Sequence, residues 1–377
     1  MSKKKILSVF GARPDAVKMA PLIKEIAKHS DIFDNIVCVT AQHREMLDQV
    51  LNGFDIIPDY DLNIMQPRQT LSSVTSKILD GLSLVIEKEK PDIVLVHGDT
   101  ITCFSAALTA FFSKIPVGHV EAGLRSGDKY SPFPEEMTRI LTGNVANLHF
   151  APTKSNVENL HRENIKENVY ITGNTVTDVL SGEYSLVRDD YIFENETLQA
   201  LGFTEKKTIF MTMHRRENIG EPMENIFAAV KRLALQHSEQ LQIIYAVHKN
   251  PAVSIPAHEI LGNIPNIYLT GPLDVGDAHN LMNKSYFVLT DSGGLQEEAP
   301  ALGKPVLVCR TETERPEAVE AGTVKIVGVT EDNIYNEAVK LLENSKEYEK
   351  MAKAVNPYGD GHASEKIVNI LKNYFFL

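Results

Sequence analysis

Three carboxylate-bearing segments lie in one stretch of the chain: His97-Gly98-Asp99-Thr100, His119-Val120-Glu121-Ala122-Gly123-Leu124-Arg125 and Pro132-Phe133-Pro134-Glu135-Glu136. Acids interleaved with His and Arg are equipped to take up and return protons. Apolar runs lead into the first two, Ile93-Val94-Leu95-Val96 and Ile115-Pro116-Val117-Gly118. The acids therefore fall at the carboxyl ends of buried strands, where open α/β sheets place their chemistry. One strand-end acid commonly does no more than cap the next helix. Three in one stretch argue for a site.

Two further loops have the chemistry to hold an anion. In Phe10-Gly11-Ala12-Arg13-Pro14-Asp15-Ala16-Val17-Lys18 a strand ends, Gly11 permits a tight turn and Pro14 suits a first helical turn. Arg13 and Lys18 beside that helix start could hold phosphate, or could simply be surface basic residues. In Asp291-Ser292-Gly293-Gly294-Leu295-Gln296-Glu297 an apolar strand meets paired glycines and a helix, so that backbone amides and the Ser292 hydroxyl can close on a phosphate. Glu297, one turn in, suits either ribose hydroxyls or the helix dipole. His214, at the strand end Met213-His214-Arg215-Arg216, is a candidate proton shuttle or phosphate donor, and Arg315 is a further anion ligand. There is no Walker lysine pair, no Gly-x-Gly-x-x-Gly, no zinc spacing and no legible Ser-His-Asp set. Acids on one wall and a nucleotide-diphosphate cradle on the other suggest proton chemistry on a sugar attached to a nucleotide.

The elements that must position these residues alternate along the chain. Strands are expected at 6–10, 35–40, 93–96, 117–120 and 148–151, with helices at 14–29, 44–51 and 70–89. A polar stretch at 189–207 follows, and the rhythm restarts with strands at 208–213, 242–247, 267–269, 287–290, 306–308 and 323–327. The expected fold is α/β: two Rossmann-like, doubly wound domains facing across a cleft, with residues 1–174 carrying the carboxylates and residues 175–362 the nucleotide. A helix at 363–377 is expected to pack back on the first domain after the turn-rich Asn356-Pro357-Tyr358-Gly359. At 377 residues two domains are the natural division.

Fifty acidic against 38 basic residues give a net charge of −12, which argues against nucleic acid or an anionic membrane as the main partner. No run approaches membrane-spanning length and the amino terminus shows no leader pattern, so a cytoplasmic protein is expected. Cys38, Cys103 and Cys309 are isolated and read as buried free thiols.

At these motifs the chain closely resembles the non-hydrolysing UDP-N-acetylglucosamine 2-epimerases of bacteria. The match runs through 11–21, 40–44, 97–100, 119–125, 130–136, 214–222, 291–300, 313–316 and 356–361. The resemblance implies the two-domain fold of B-type (GT-B) glycosyltransferases, a homodimer, no metal and no nicotinamide or other cofactor. It implies reversible inversion at C2 between UDP-GlcNAc and UDP-ManNAc. A base removes the C2 proton, UDP leaves, and UDP and a proton then add back to the bound 2-acetamidoglucal. Asp99, Glu121, Glu135 and His214 match the family's catalytic positions. Arg13, Lys18, Ser292, Gly293, Gly294, Glu297 and Arg315 match its nucleotide ligands. Gln42, Arg68, Arg215 and His248 match positions at which many members bind a second UDP-GlcNAc as activator.

The chain departs from the family pattern at Ala12 and Asp15, usually Thr and Glu, and at Ala278, where a ring packs on the uracil. It departs also at Glu45, usually an amide, and Ala246, usually proline. Loss of the ring is expected to cost on the order of 1–2 kcal/mol of nucleotide binding unless a neighbour such as His279 stacks instead. The alternatives are a glycosyltransferase of the same fold and an epimerase with an altered nucleotide sugar.

Overall fold

A computed structural model describes residues 2–41, 44–66 and 68–376, with the side chains of 44–46 outside that description. Seven strands form the first sheet: β1 (Lys4–Phe10), β2 (Phe33–Val39), β3 (Tyr60–Asp61), β4 (Ile93–His97), β5 (Val117–Val120), β6 (Leu148–Ala151) and β7 (Val169–Ile171). Their order is β3-β2-β1-β4-β5-β6-β7 and every pairing is parallel. Six strands form the second: β8 (Lys207–Thr212), β9 (Leu241–Ala246), β10 (Ile267–Thr270), β11 (Phe287–Thr290), β12 (Val306–Val308) and β13 (Val324–Ile326). These run β10-β9-β8-β11-β12-β13, again all parallel. The chain divides into Met1–Tyr184 with Tyr358–Leu377, and Ser185–Pro357.

In each sheet the strand order reverses once, between β1 and β4 in the first and between β8 and β11 in the second. Helices leave such neighbouring strands toward opposite faces, which opens a crevice at their carboxyl ends. Gly11 and Asp99 follow β1 and β4. His214 and Asp291 follow β8 and β11. Every side chain of β4 is buried, as is the run Phe287 to Thr290, so the strands that deliver these groups are fixed by their own apolar packing.

The strands expected at 117–120, 148–151, 287–290 and 306–308 have those bounds, and most others shift by a residue or two. β3 and β7 are additions at the edges, too short for a periodic signal. The helix Ile101–Phe112 behind β4 buries Ala106, Ala107 and Ala110, small residues that let it lie close to the sheet. Thr100 caps it, its hydroxyl accepting from the Cys103 N–H at 3.2 Å. The tail helix Ala363–Phe376 belongs to the first unit and packs on the helix Arg13–Lys28. Its first N–H groups are capped by buried Asp178, which accepts from Ala363 at 2.9 Å and Ser364 at 2.7 Å. Cys38, Cys103 and Cys309 are buried free thiols, and burial pushes Cys38 up to about 12. Among the described residues no helix is long and apolar enough to cross a membrane.

Candidate active site

In the first unit the crevice after β1 and β4 collects acids, and two of them, Asp99 and Glu121, are held by different cations. Arg139, on the helix Glu135–Val145, reaches back to Asp99. Its Nε donates to Oδ2 at 2.8 Å and its Nη2 stands 2.6 Å from the same oxygen, while Nη1 donates to Glu136 at 3.1 Å. Glu136 in turn accepts from the Ser126 and Gly127 N–H groups, at 2.9 and 3.0 Å, which fixes the loop after Arg125. Asp99 keeps 24% of its side-chain surface open. Even so, the desolvating protein around it pushes its carboxyl above the usual carboxylate range, with Glu121 and Asp15 adding to the rise and Arg139 opposing it.

Glu121 has the Lys18 ammonium as its cation and also accepts from Asn174 Nδ2 at 2.8 Å. Its backbone is left-handed, at φ 65°, an uncommon conformation for a residue with a Cβ. That conformation turns the chain sharply off β5. Asp15 accepts from Thr100 Oγ1 at 3.2 Å. His97, at the end of β4, lies 3.8 Å from Asp15 through Nδ1 and 3.8 Å from Glu121 through Nε2. Glu135 opens its helix, half-buried; its carbonyl and that of Asp99 both accept from the Thr138 hydroxyl. Gly11 sits where no side chain fits: a Cβ there would stand 2.0 Å from Thr40 Oγ1 and 2.6 Å from Thr102 Oγ1.

In the second unit the organising group is Asp291, fully buried at the end of β11. Its carboxylate accepts from the His214 N–H at 3.0 Å, the Arg215 N–H at 2.9 Å and Asn218 Nδ2 at 3.0 Å. The loop after β8 is thereby folded around one acid. His214 Nδ1 stands 3.5 Å from Asp291, and its ring stacks on His248 with centroids 5.8 Å apart. Burial holds the His214 imidazole below its ordinary value, with Arg215 and His248 adding and Asp291 opposing. A neutral ring is the form that can accept a proton.

Arg315 crosses to the glycine turn. Its Nε donates to Glu297 Oε1 at 2.7 Å, and a Cβ on Gly293 would meet its Nη1 at 2.7 Å. Arg310 and Arg315 both face Glu314, at 3.0 and 3.4 Å. Burial alone would raise the Glu314 carboxyl, but these two arginines hold it down to about 2. Ser292, Gly293 and Gly294 lead into the helix Leu295–Ala301, whose first turn has no side-chain cap and closes on the turn itself, with the Gln296 and Glu297 N–H groups donating to the Gly293 and Gly294 carbonyls at 3.2 and 2.9 Å.

Asp99, Glu121 and Lys18 come together in the first unit. In the second, His214 and His248 stack, Glu297 and Arg315 pair beside Gly293, and Arg215 joins the two groups, its Nη2 3.3 Å from where a Gly293 Cβ would stand. Glu297 is buried and engaged by Arg315, so the helix dipole is not its main partner. Arg68 is exposed, at φ 59°. Gln42 lies outside the described residues, as does the side chain of Glu45. His279 does not offer a ring in place of the one missing at Ala278: it is 3% exposed and aimed at Glu298, 3.5 Å away. The sequence reading did not single out His97, Arg139, Asn174 or Asp291 as site residues. The spacing Glu135-Glu136-x-x-Arg139 on one helix was the available signal for Arg139; Asn174 carries none, since only the fold brings it to Glu121.

A family model described as UDP-N-acetylglucosamine 2-epimerase matches residues 24–372. The UDP-N-acetylglucosamine 2-epimerase of Bacillus subtilis (strain 168) is 55% identical over 372 residues, covering 98% of this chain and 96% of the relative. The crystal structure of UDP-GlcNAc 2-epimerase from Neisseria meningitidis bound to UDP-GlcNAc is 49% identical. It superposes with a TM-score of 0.89, covering 98% of this chain and 100% of that one. The glycotransferase of kitacinnamycin, 10% identical, matches with a TM-score of 0.67 over 99% of each chain and shares the fold alone. The match spans nearly the whole chain, and the chain belongs to the UDP-N-acetylglucosamine 2-epimerase family.

Proposed function

We propose that this chain interconverts UDP-GlcNAc and UDP-ManNAc by inverting C2 of the sugar. One acid removes the C2 proton as UDP leaves C1, and a 2-acetamidoglucal forms. UDP then adds back while a second group returns a proton to the opposite face. The supporting observation is the pair Asp99 and Glu121, each with its own cation, Arg139 and Lys18. Chemistry on two faces calls for two separately tuned proton carriers, and a single general base would leave one of them without a task. Glu135 and neutral His214 complete the proton-handling set.

Ser292, Gly293, Gly294, Glu297 and Arg315 hold the nucleotide in this reading, and Arg13 and Lys18 offer cations to the departing diphosphate. Gln42, Arg68, Arg215 and His248 bind a second UDP-GlcNAc as activator, so velocity rises sigmoidally with substrate. Two copies pair through the outer faces of the helices Leu71–Glu89 and Ile101–Phe112. There Leu84, Phe111 and Phe112 are 69%, 58% and 67% exposed, side chains that a monomer gains nothing by leaving in water. The enzyme works in the cytoplasm and supplies ManNAc donors for cell-surface polysaccharide. The test is incubation with each epimer separately, followed by anion-exchange separation. Both reach one mixture of the two nucleotide sugars if the reading holds, and release of free sugar or an unchanged substrate contradicts it.

A further inference from the structure

His97 is 3% exposed, and neither of its ring nitrogens makes a hydrogen bond among the described residues. A buried polar atom without a partner costs about 1–3 kcal/mol, so two on one ring call for a reason. The ring is also flanked by acids on both sides. Nδ1 faces Asp15 Oδ1 and Nε2 faces Glu121 Oε2, each at 3.8 Å, beyond direct hydrogen-bond range by roughly half an ångström. Lys18 and Asn174 bond the same Glu121 oxygen, Oε2, that His97 faces, and Thr100 holds Asp15 through Oδ2. Asp99 lies within electrostatic reach of both acids. Buried Cys103, bonded to the Gly98 carbonyl, feels the same three carboxylates and His119 feels His97, while burial keeps both of these uncharged.

Two-sided proton chemistry leaves an imbalance that this arrangement can correct. When one acid takes the proton from C2 and another delivers a different proton to the opposite face, the turnover ends with the proton inventory inverted. The first acid is protonated and the second is bare. Before the next turnover in the same direction each must be reset. Glu121 shows only 10% of its side chain to solvent and is enclosed by Lys18, Asn174 and His97, so solvent alone does not serve it well.

We propose that His97 is a positioning residue that relays a proton between Glu121 and Asp15, resetting Glu121 between turnovers. This rests on the epimerase reading, with Glu121 as one of the two proton-transfer acids. In the relay the Glu121 carboxyl gives its proton to Nε2 and the imidazole releases the Nδ1 proton to Asp15. The sum is Glu121-COOH plus Asp15-COO⁻ giving Glu121-COO⁻ plus Asp15-COOH, and Asp15 then gives the proton up to water past the half-buried Thr100 hydroxyl bonded to it, which returns it to the carboxylate. No electrons change hands. The imidazole ends with its remaining proton on the other nitrogen, and a ring flip or a proton passing the opposite way restores it.

The experiment is rapid-quench kinetics on the full-length enzyme with UDP-GlcNAc, comparing the first turnover with the steady state. In His97→Gln the first turnover keeps nearly the wild-type rate and the steady state falls by about tenfold or more, so UDP-ManNAc appears as a burst of one per active site. Asp15→Asn gives the same burst. Added imidazole restores the steady state of His97→Ala, which a purely structural role would not allow. If the first turnover in both variants slows as much as the later ones, or if neither rate changes, the relay is overturned. Should His97→Gln fail to bind UDP through misfolding, Asp15→Asn decides the matter. Wild-type enzyme that forms no UDP-ManNAc overturns the epimerase reading itself.

Discussion

Gly293 and Arg315 are packed so closely that a Cβ on the glycine would stand 2.7 Å from the arginine Nη1 and 2.9 Å from Cζ. The guanidinium lies across bare backbone, with Glu297 fixing its Nε and Glu314 its Nη1. Gly293→Ala therefore pushes Arg315 out of place while leaving the strand and helix intact. We predict UDP affinity lower by about tenfold or more, the worth of one hydrogen bond to a charged group. Gly294→Ala meets the flexible end of Glu298, at 3.2 Å, and Ser292 Oγ at an ordinary contact distance of 3.9 Å, and weakens UDP less. Isothermal titration of both variants with UDP checks the order.

Asp99→Asn and Glu121→Gln keep the shape of each acid and remove its charge. Turnover falls by at least about 10²-fold in either variant, the usual range for loss of a positioned acid or base. UDP binding changes little, because nucleotide contacts are assigned to other residues. Parallel measurement of kcat and UDP affinity tests this, and an active double variant contradicts the site assignment.

Stability responds to pH through the buried histidines. Burial pushes His119 down to about 3 and His149 down to about 4. Unfolded, both rings bind a proton near pH 6.5. A depressed folded value means that the unfolded chain takes up the proton first, so stability is full above pH 6.5 and is lost as pH falls. Each histidine contributes a slope of about 1.4 kcal/mol per pH unit, down toward its folded value. Urea unfolding between pH 7 and 5 reads this before most carboxylates titrate. His119→Gln, which retains a donor for the Gly98 carbonyl that His119 Nε2 reaches at 2.7 Å, flattens the slope.

Ala278→Tyr restores a ring at the position where the family resemblance places uracil stacking. The helix Val275–Lys284 is held in place by Asp277, which accepts from the Glu194 and Asn195 N–H groups at 2.9 and 2.8 Å. A new ring there is presented from a fixed scaffold, and His279 does not compete for the role. UDP affinity rises by up to about tenfold, and an unchanged affinity would show that the base sits elsewhere.

The fold was largely legible because buried parallel strands are continuous apolar runs. Ile93-Val94-Leu95-Val96 and Phe287-Val288-Leu289-Thr290 need no partner information to be read. β3 and β7 were not, since two or three residues carry no period and their pairing is decided by neighbours. Asp99, Glu121 and His214 could be picked out from their strand ends. What that reading could not supply was their company. Asn174 reaches Glu121 across 53 positions and Arg139 reaches Asp99 across 40. Asp291 looked like part of a phosphate turn, yet its carboxylate folds the loop that carries His214. Such long-range contacts follow from the strand order, which local sequence does not encode.

The most direct measurement is proton NMR of the enzyme with UDP-GlcNAc in D₂O, following UDP-ManNAc and the C2 position together. The account predicts UDP-ManNAc carrying deuterium at C2, with deuterium entering the recovered UDP-GlcNAc as equilibrium is approached. New UDP-ManNAc that keeps its original C2 proton would contradict it, as would a nucleotide sugar left unchanged by an enzyme that demonstrably binds UDP.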